Sequence, residues 1–170
     1  MTPAGRHQPG WWRTKIRQFG SHVTARVSTA ERADIAAWLT PAQLALFDRM
    51  HIADRRHGLD VAATLRSEGV GDHDVLVAGL LHDCGKGDAG LISRIVFALG
   101  QSYGGWIIRA AGRIPGVGIE VGRLAHHAEA SAVLAQQAGC SDRTVELIRD
   151  QDRPRDPDYG VLLKMADEAN

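Results

Sequence analysis

Residues 75–87 read VLVAGLLHDCGKG and decide how the chain folds. The first seven are aliphatic or glycine, so a helix formed by them is hydrophobic on every side and belongs in the centre of the molecule. Asp72 caps this helix, and His82 and Asp83 stand at its C-terminal end. An unpaired buried carboxylate is very unfavourable, so Asp83 needs a positively charged partner.

Helix signals flank this run on both sides. Thr40-Pro41 and Asp156-Pro157 each place a capping residue before a proline, and Gly69 and Gly139 are typical helix stops. The predicted helices cover residues 41–49, 52–68, 73–85, 91–117 (as a pair), 119–138 (with a break near 126), 142–153 and 159–169. No segment alternates with a period of two, which leaves little case for a sheet. We therefore predict an all-α fold, a compact bundle of about six to eight helices.

Composition indicates one globular body with a basic arm before it. Hydrophobic residues make up 44% of the 170 and charged residues 24%. Residues 1–30 carry five basic side chains and no acid, which leaves 15 of the 20 basic and all 20 acidic side chains for the rest. We predict an arm over residues 1–40, partly helical or loosely ordered, and a body over 41–170. The two cysteines are read as reduced structural thiols, which favours a cytoplasmic location.

The arm carries a hydrophobic stripe. Trp12, Ile16, Phe19 and Val23 recur at helical spacing among basic residues. Residues 11–27 therefore suggest weak contact with an anionic membrane surface or with nucleic acid, and hence a peripheral membrane position. The alternative, which we favour, is that the arm packs on its own domain or stays loose. No transmembrane span is predicted, because three arginines interrupt the apolar stretch at 91–117.

Two more residues suit a metal site together with His82 and Asp83. His57 lies at the edge of the apolar arc of its helix, one turn before Val61, and Asp167 follows Leu163 by one turn. Two imidazoles and two carboxylates can hold several divalent ions. Taken singly, each residue also has a simpler reading as a hydrogen-bonded histidine or a salt-bridge partner.

The order of these residues resembles the HD superfamily of phosphohydrolases. The segments that carry the resemblance are DRRHGLDVAATL (54–65), VAGLLHDCGKG (77–87), HHAEASAVLAQQAG (126–139) and LLKMADEAN (162–170). The resemblance implies that His57, His82, Asp83 and Asp167 hold a divalent ion, such as Mn, Fe, Ni, Co, Mg or Zn. It implies hydrolysis of a phosphoester or phosphoanhydride bond, commonly in a nucleotide. Asp83 would then orient or deprotonate the attacking water, and Lys86 would contact a substrate phosphate.

The resemblance leaves the number of metals open. Relatives with two metals use further histidines, and His127 matches the first of those positions. At the next one this chain reads IRDQDRP (148–154), where Asp152 follows Val145 and Ile148 at helical spacing and could substitute a carboxylate. We favour a single metal, in which case His127 contacts the substrate phosphate. The alternative is a second metal bound by His127 and Asp152.

Two further questions stay open at the level of sequence. Four arginines lie between the two motifs, and they suit either a lid over phosphate or the solvated edges of a helix pair. They are Arg94, Arg109, Arg113 and Arg123. The rival to a hydrolase is a catalytically silent HD domain that works as a ligand-binding or signalling module.

Overall fold

The computed structural model describes residues 26–87, 96, 104, 106–111 and 126–170, and it confirms the all-α prediction. Within those residues there is no β-strand. The helices are α1 (Thr29–Ala36), α2 (Pro41–Arg49), α3 (Ile52–Ser67), α4 (His73–Leu81), a 3₁₀ turn (Cys84–Lys86), α5 (Trp106–Ala111), α6 (His127–Gln137), α7 (Asp142–Arg149) and α8 (Tyr159–Ala169).

Helix α4 is the centre of the bundle, as its composition predicts. Every residue from Val75 to Leu81 is buried. Helices α3, α7 and α8 pack around it, while α6 packs against the 3₁₀ turn and against α7. The Asp72 side chain accepts a hydrogen bond from the backbone N–H of Asp74 and so caps α4. Helix α4 is therefore capped at its N-terminal end and enclosed by α3, α7 and α8.

Glycines allow α3 and α4 to approach closely. A Cβ atom added to Gly58 on α3 would lie 2.4 Å from the backbone oxygen of Leu80 on α4. One added to Gly79 on α4 would lie 2.7 Å from Leu65 Cδ1 on α3. Since neither residue has a side chain, the two backbones meet directly. This contact lies one residue from His57 on α3 and two from His82 beyond α4.

The helical body begins earlier than the sequence interpretation placed it. Ser28 forms a capping box with Glu31 at the start of α1, and Ile35 on α1 is only 2% exposed within the main core. Arg56 on α3 donates to Glu31 at 2.5 Å, and this hydrogen bond, together with those from Ser28, lowers the Glu31 pKa to about 2. The segment from residue 28 to 40 thus belongs to the packed body, because one turn of α1 buries an apolar side chain that the sequence alone did not single out.

Other predictions lie partly outside the described residues. The structure does not describe residues 1–25 of the arm, most of the apolar stretch 91–117 or the segment 119–125. Within the apolar stretch, Trp106–Ala111 is described and is helical. Helix α6 begins at His127, while residues 119–125, on which the predicted break near 126 also depends, lie outside the described part of the chain. Among the described helices, none is long and apolar enough to cross a bilayer.

Candidate metal centre

His82 is held in one orientation at the end of α4. Its Nδ1 lies 2.9 Å from the backbone oxygen of Gly79, which can only accept, so Nδ1 carries the proton. Its Nε2 faces the opposite way and lies 3.4 Å from both Asp83 Oδ2 and Asp167 Oδ1. The side chain is 1% exposed, and Nε2 makes no hydrogen bond within the described part of the chain. A buried imidazole with one nitrogen anchored to a carbonyl and the other directed at carboxylates has the arrangement of a metal ligand.

His57 and Asp167 come from the two helices that flank this position. His57 Nε2 on α3 lies 2.8 Å from Asp167 Oδ1 on α8, and the rings of His57 and His82 meet edge to face with centroids 5.2 Å apart. Asn170 Nδ2 donates to Thr64 Oγ1 at 2.9 Å, which ties the end of α8 to α3. The Asp167 side chain is 40% exposed, so the cluster is open to solvent on the α8 side.

The three residues form a group that can hold a metal ion. One ligand atom from each of His57, His82 and Asp167 lies within 4.8 Å of the other two. Ligands bonded to one ion at about 2.0–2.2 Å stand roughly 3–4 Å apart, so small side-chain adjustments suffice. Two imidazole nitrogens and a carboxylate oxygen are a donor set that suits Mn, Fe, Co, Ni or Zn. The residues therefore fit a divalent cation.

Asp83 adds a second carboxylate to the group. Its side chain is 2% exposed, and its Oδ2 lies 3.4 Å from His82 Nε2 and 3.9 Å from His57 Nε2. Its Oδ1 lies 3.4 Å from Nε2 of His127 on α6, and Lys86 Nζ donates to Oδ2 at 2.5 Å. The structure thus brings together all four predicted ligands, together with His127 and Lys86.

The charges of the cluster are strongly coupled. Burial alone would raise the pKa of Asp83, but the charges of His82 and Lys86 outweigh it and hold that pKa well below its usual range. Burial alone would lower the pKa of His82, yet the two carboxylates raise it to about 10. The hydrogen bond from His57 and the charge of His82 likewise keep the pKa of Asp167 low against its burial. The two carboxylates therefore stay ionised and attract positive charge to this point.

Packing of the 3₁₀ turn on α6 positions His127. Gly85 N donates to Ser131 Oγ at 2.8 Å, and a Cβ at Gly85 would lie 2.4 Å from Ser131 N. The turn can lie this close to the α6 backbone because Gly85 has no side chain. Cys84 is also buried there, and burial raises its thiol pKa to about 12, which agrees with a structural role.

Asp152 does not take the inward position predicted for it. Helix α7 ends at Arg149, so helical spacing does not extend to residue 152, and Asp152 is exposed. Gln151 is the buried residue of that turn, and its Nε2 donates to the backbone oxygen of His82 at 3.1 Å. A side-chain amide thus supports the His82 backbone where a carboxylate ligand was expected. Sequence patterns gave no signal for Gln151.

Sequence reasoning also missed Asp54. It lies in the first turn of α3, one turn before His57, and is 2% exposed. Burial lowers the pKa of Lys86, but the charges of Asp83, Asp54 and Asp167 outweigh it and raise that pKa above its ordinary value. The only sequence signal that Asp54 lies near the site was its i, i+3 spacing from His57, which places the two residues close together on the same side of the helix.

Comparison of the chain with protein-family models, with curated proteins and with solved structures finds no match. The all-α fold and the cluster of His57, His82 and Asp167 therefore rest on the structure itself.

Proposed function

We propose that this chain is an HD-type metal-dependent phosphohydrolase that cleaves a phosphoester or phosphoanhydride bond, in a nucleotide or a related phosphorylated metabolite. The observation that carries the proposal is the buried His82, with one nitrogen fixed by a carbonyl and the other directed at two carboxylates. Burying several carboxylates and imidazoles together costs folding free energy, so stability alone does not explain the cluster. Groups with strongly shifted pKa values tend to lie at functional sites.

Four side chains would hold the cation in this proposal. His57, His82 and Asp167 supply three donor atoms from different parts of the fold, and Asp83 supplies the fourth. A divalent ion so bound lowers the pKa of its water from 15.7 towards about 7 and neutralises charge on phosphoryl oxygens. The donor set suits Mn, Fe, Ni, Co, Mg or Zn, and one ion per chain is the stoichiometry we propose.

The remaining polar groups suit the handling of water and phosphate. Asp83 has two oxygens, so one can bind the cation while the other orients or accepts a proton from the attacking water. Lys86 remains cationic and is half-buried beside Asp83, where it can contact a substrate phosphate as a point charge. His127 borders the same carboxylate and offers a second contact. The exposed side of Asp167 provides the route by which substrate reaches these groups.

A metal and substrate screen tests the proposal. Protein reconstituted separately with Mn²⁺, Fe²⁺, Co²⁺, Ni²⁺, Mg²⁺ and Zn²⁺ is assayed for phosphate release from nucleotides and generic phosphate esters. We expect turnover that requires metal and that falls at least about a hundredfold in Asp83→Asn, because that change removes both a ligand and the proton acceptor.

The matched control is Asp152→Asn, since Asp152 is an exposed aspartate that does not belong to the cluster. It should retain the wild-type rate. Metal-loaded protein that hydrolyses none of the compounds would contradict the hydrolase proposal and favour a silent ligand-binding module. An equal loss of turnover in Asp83→Asn and Asp152→Asn would show that Asp83 has no specific part in the reaction.

A further inference from the structure

The ammonium group of Lys86 is hydrogen-bonded to the same Asp83 oxygen that would bind a metal ion. Lys86 Nζ donates to Asp83 Oδ2, and this oxygen also faces Nε2 of His82 at 3.4 Å and Nε2 of His57 at 3.9 Å. Asp83 Oδ1 is directed to His127 instead. A cation bound between the imidazoles and Asp83 Oδ2 would therefore meet Lys86 at the same atom.

Two positive charges cannot share that oxygen without a large cost. Unit charges about 4 Å apart interact by several kcal/mol even at the effective dielectric constant of a partly buried site, and a divalent ion doubles the repulsion. Lys86 must consequently leave Asp83 Oδ2, or the ion must bind more weakly. The half-buried position of Lys86 restricts how far its ammonium can withdraw into water.

Asp54 provides a second carboxylate for the displaced ammonium. It is buried, it lies one turn before His57 on α3, and its charge acts on Lys86 together with that of Asp83. A buried carboxylate is stabilised by a nearby positive charge, which favours movement of the displaced ammonium of Lys86 towards Asp54.

We infer that Lys86 competes with the metal for Asp83 and passes to Asp54 when Asp83 takes up the ion. Asp54 is then a positioning residue: it takes the ammonium away from the metal ligand and keeps it beside the site, where a substrate phosphate can meet it. The inference rests on the proposed metal site and adds a function for a residue outside the ligand set.

Equilibrium binding of Mn²⁺ to the full chain, followed by electron paramagnetic resonance of the free ion, tests it without an activity assay. Lys86→Met keeps most of the length of the side chain and removes its charge. We expect it to bind Mn²⁺ at least about tenfold more tightly than wild type, because the competitor is gone. Lys164→Met removes one charge from a partly exposed lysine paired with Glu168 and should change the affinity by less than about twofold.

Asp54→Asn completes a double-mutant cycle. Alone it should weaken Mn²⁺ binding about three- to tenfold, because Lys86 then lacks the carboxylate to which it would move and stays on Asp83. In the Lys86→Met background most of that loss should disappear. Circular dichroism of each variant checks that its helices are intact.

The outcomes separate this inference from the proposed function. If wild type binds Mn²⁺ and Lys86→Met binds it no more tightly, competition by Lys86 is disproved while the metal site stands. If Asp54→Asn weakens binding by the same factor with and without Lys86, the transfer to Asp54 is disproved. Wild-type protein that binds no Mn²⁺ would overturn both proposals.

Discussion

Replacing His82 with alanine is expected to lower the affinity for Mn²⁺ at least about a hundredfold. Loss of an outer-shell partner alone typically costs ten- to a hundredfold in metal affinity, and His82 is a proposed direct ligand. Its ring also neighbours both carboxylates, since Nε2 lies 3.4 Å from an oxygen of Asp83 and from one of Asp167. The two carboxylates lose this shared partner in the variant, and only His57 remains as an imidazole ligand.

Equilibrium dialysis followed by elemental analysis measures the effect. His126→Ala is the matched control, because His126 is an exposed histidine next to the site residue His127. Thermal denaturation of both variants shows whether the fold persists, so that a loss of metal is not a loss of structure. A folded His82→Ala protein that keeps wild-type affinity would mean that the ion, if bound, sits elsewhere.

Gly58→Ala is expected to destabilise the protein by about 2–3 kcal/mol, although alanine is the better helix former. In an exposed helix interior the same change would stabilise by roughly 1 kcal/mol. Here the new Cβ would lie 2.4 Å from the backbone oxygen of Leu80, and a backbone atom cannot rotate away as a side chain can. Helix α3 must therefore shift away from α4.

Urea denaturation measures this change, and Gly71→Ala is the control. Nothing lies within 4 Å of a Cβ at Gly71, so that variant should be as stable as wild type or slightly more so. The shift of α3 should also separate His57 from His82, and folded Gly58→Ala protein should bind Mn²⁺ more weakly. Equal stability of Gly58→Ala and wild type would show that the contact between the two helices is looser than the structure has it.

Local signals explain why so much of the fold could be predicted from the sequence. Caps such as Thr40, Asp72 and Ser141 act on backbone groups two or three residues away, and each of them caps its helix in the structure. The uninterrupted apolar run of α4 requires burial on all sides, wherever the other helices lie. The position of His82 and Asp83 at the end of that run follows from the same pattern.

Tertiary packing explains what the sequence left out. Asp54 stands in a stretch of charged residues that looks solvated, and it is buried only because α3 presents that turn to the centre of the bundle. The positions of Gln151 and Asp152 depend on where α7 ends, and helix ends are poorly defined by periodicity. Likewise, α1 contributes Ile35 to the core through contacts made far along the chain. None of these positions is fixed by its sequence neighbours.

Anomalous diffraction from a crystal of the protein soaked in Mn²⁺ tests the metal centre most directly. We expect one strong peak per chain, about 2.0–2.3 Å from Nε2 of His57, from Nε2 of His82 and from a carboxylate oxygen of Asp167, with Asp83 completing the set. A peak bound by other residues, or no peak among these four in a crystal that contains the ion, would contradict it.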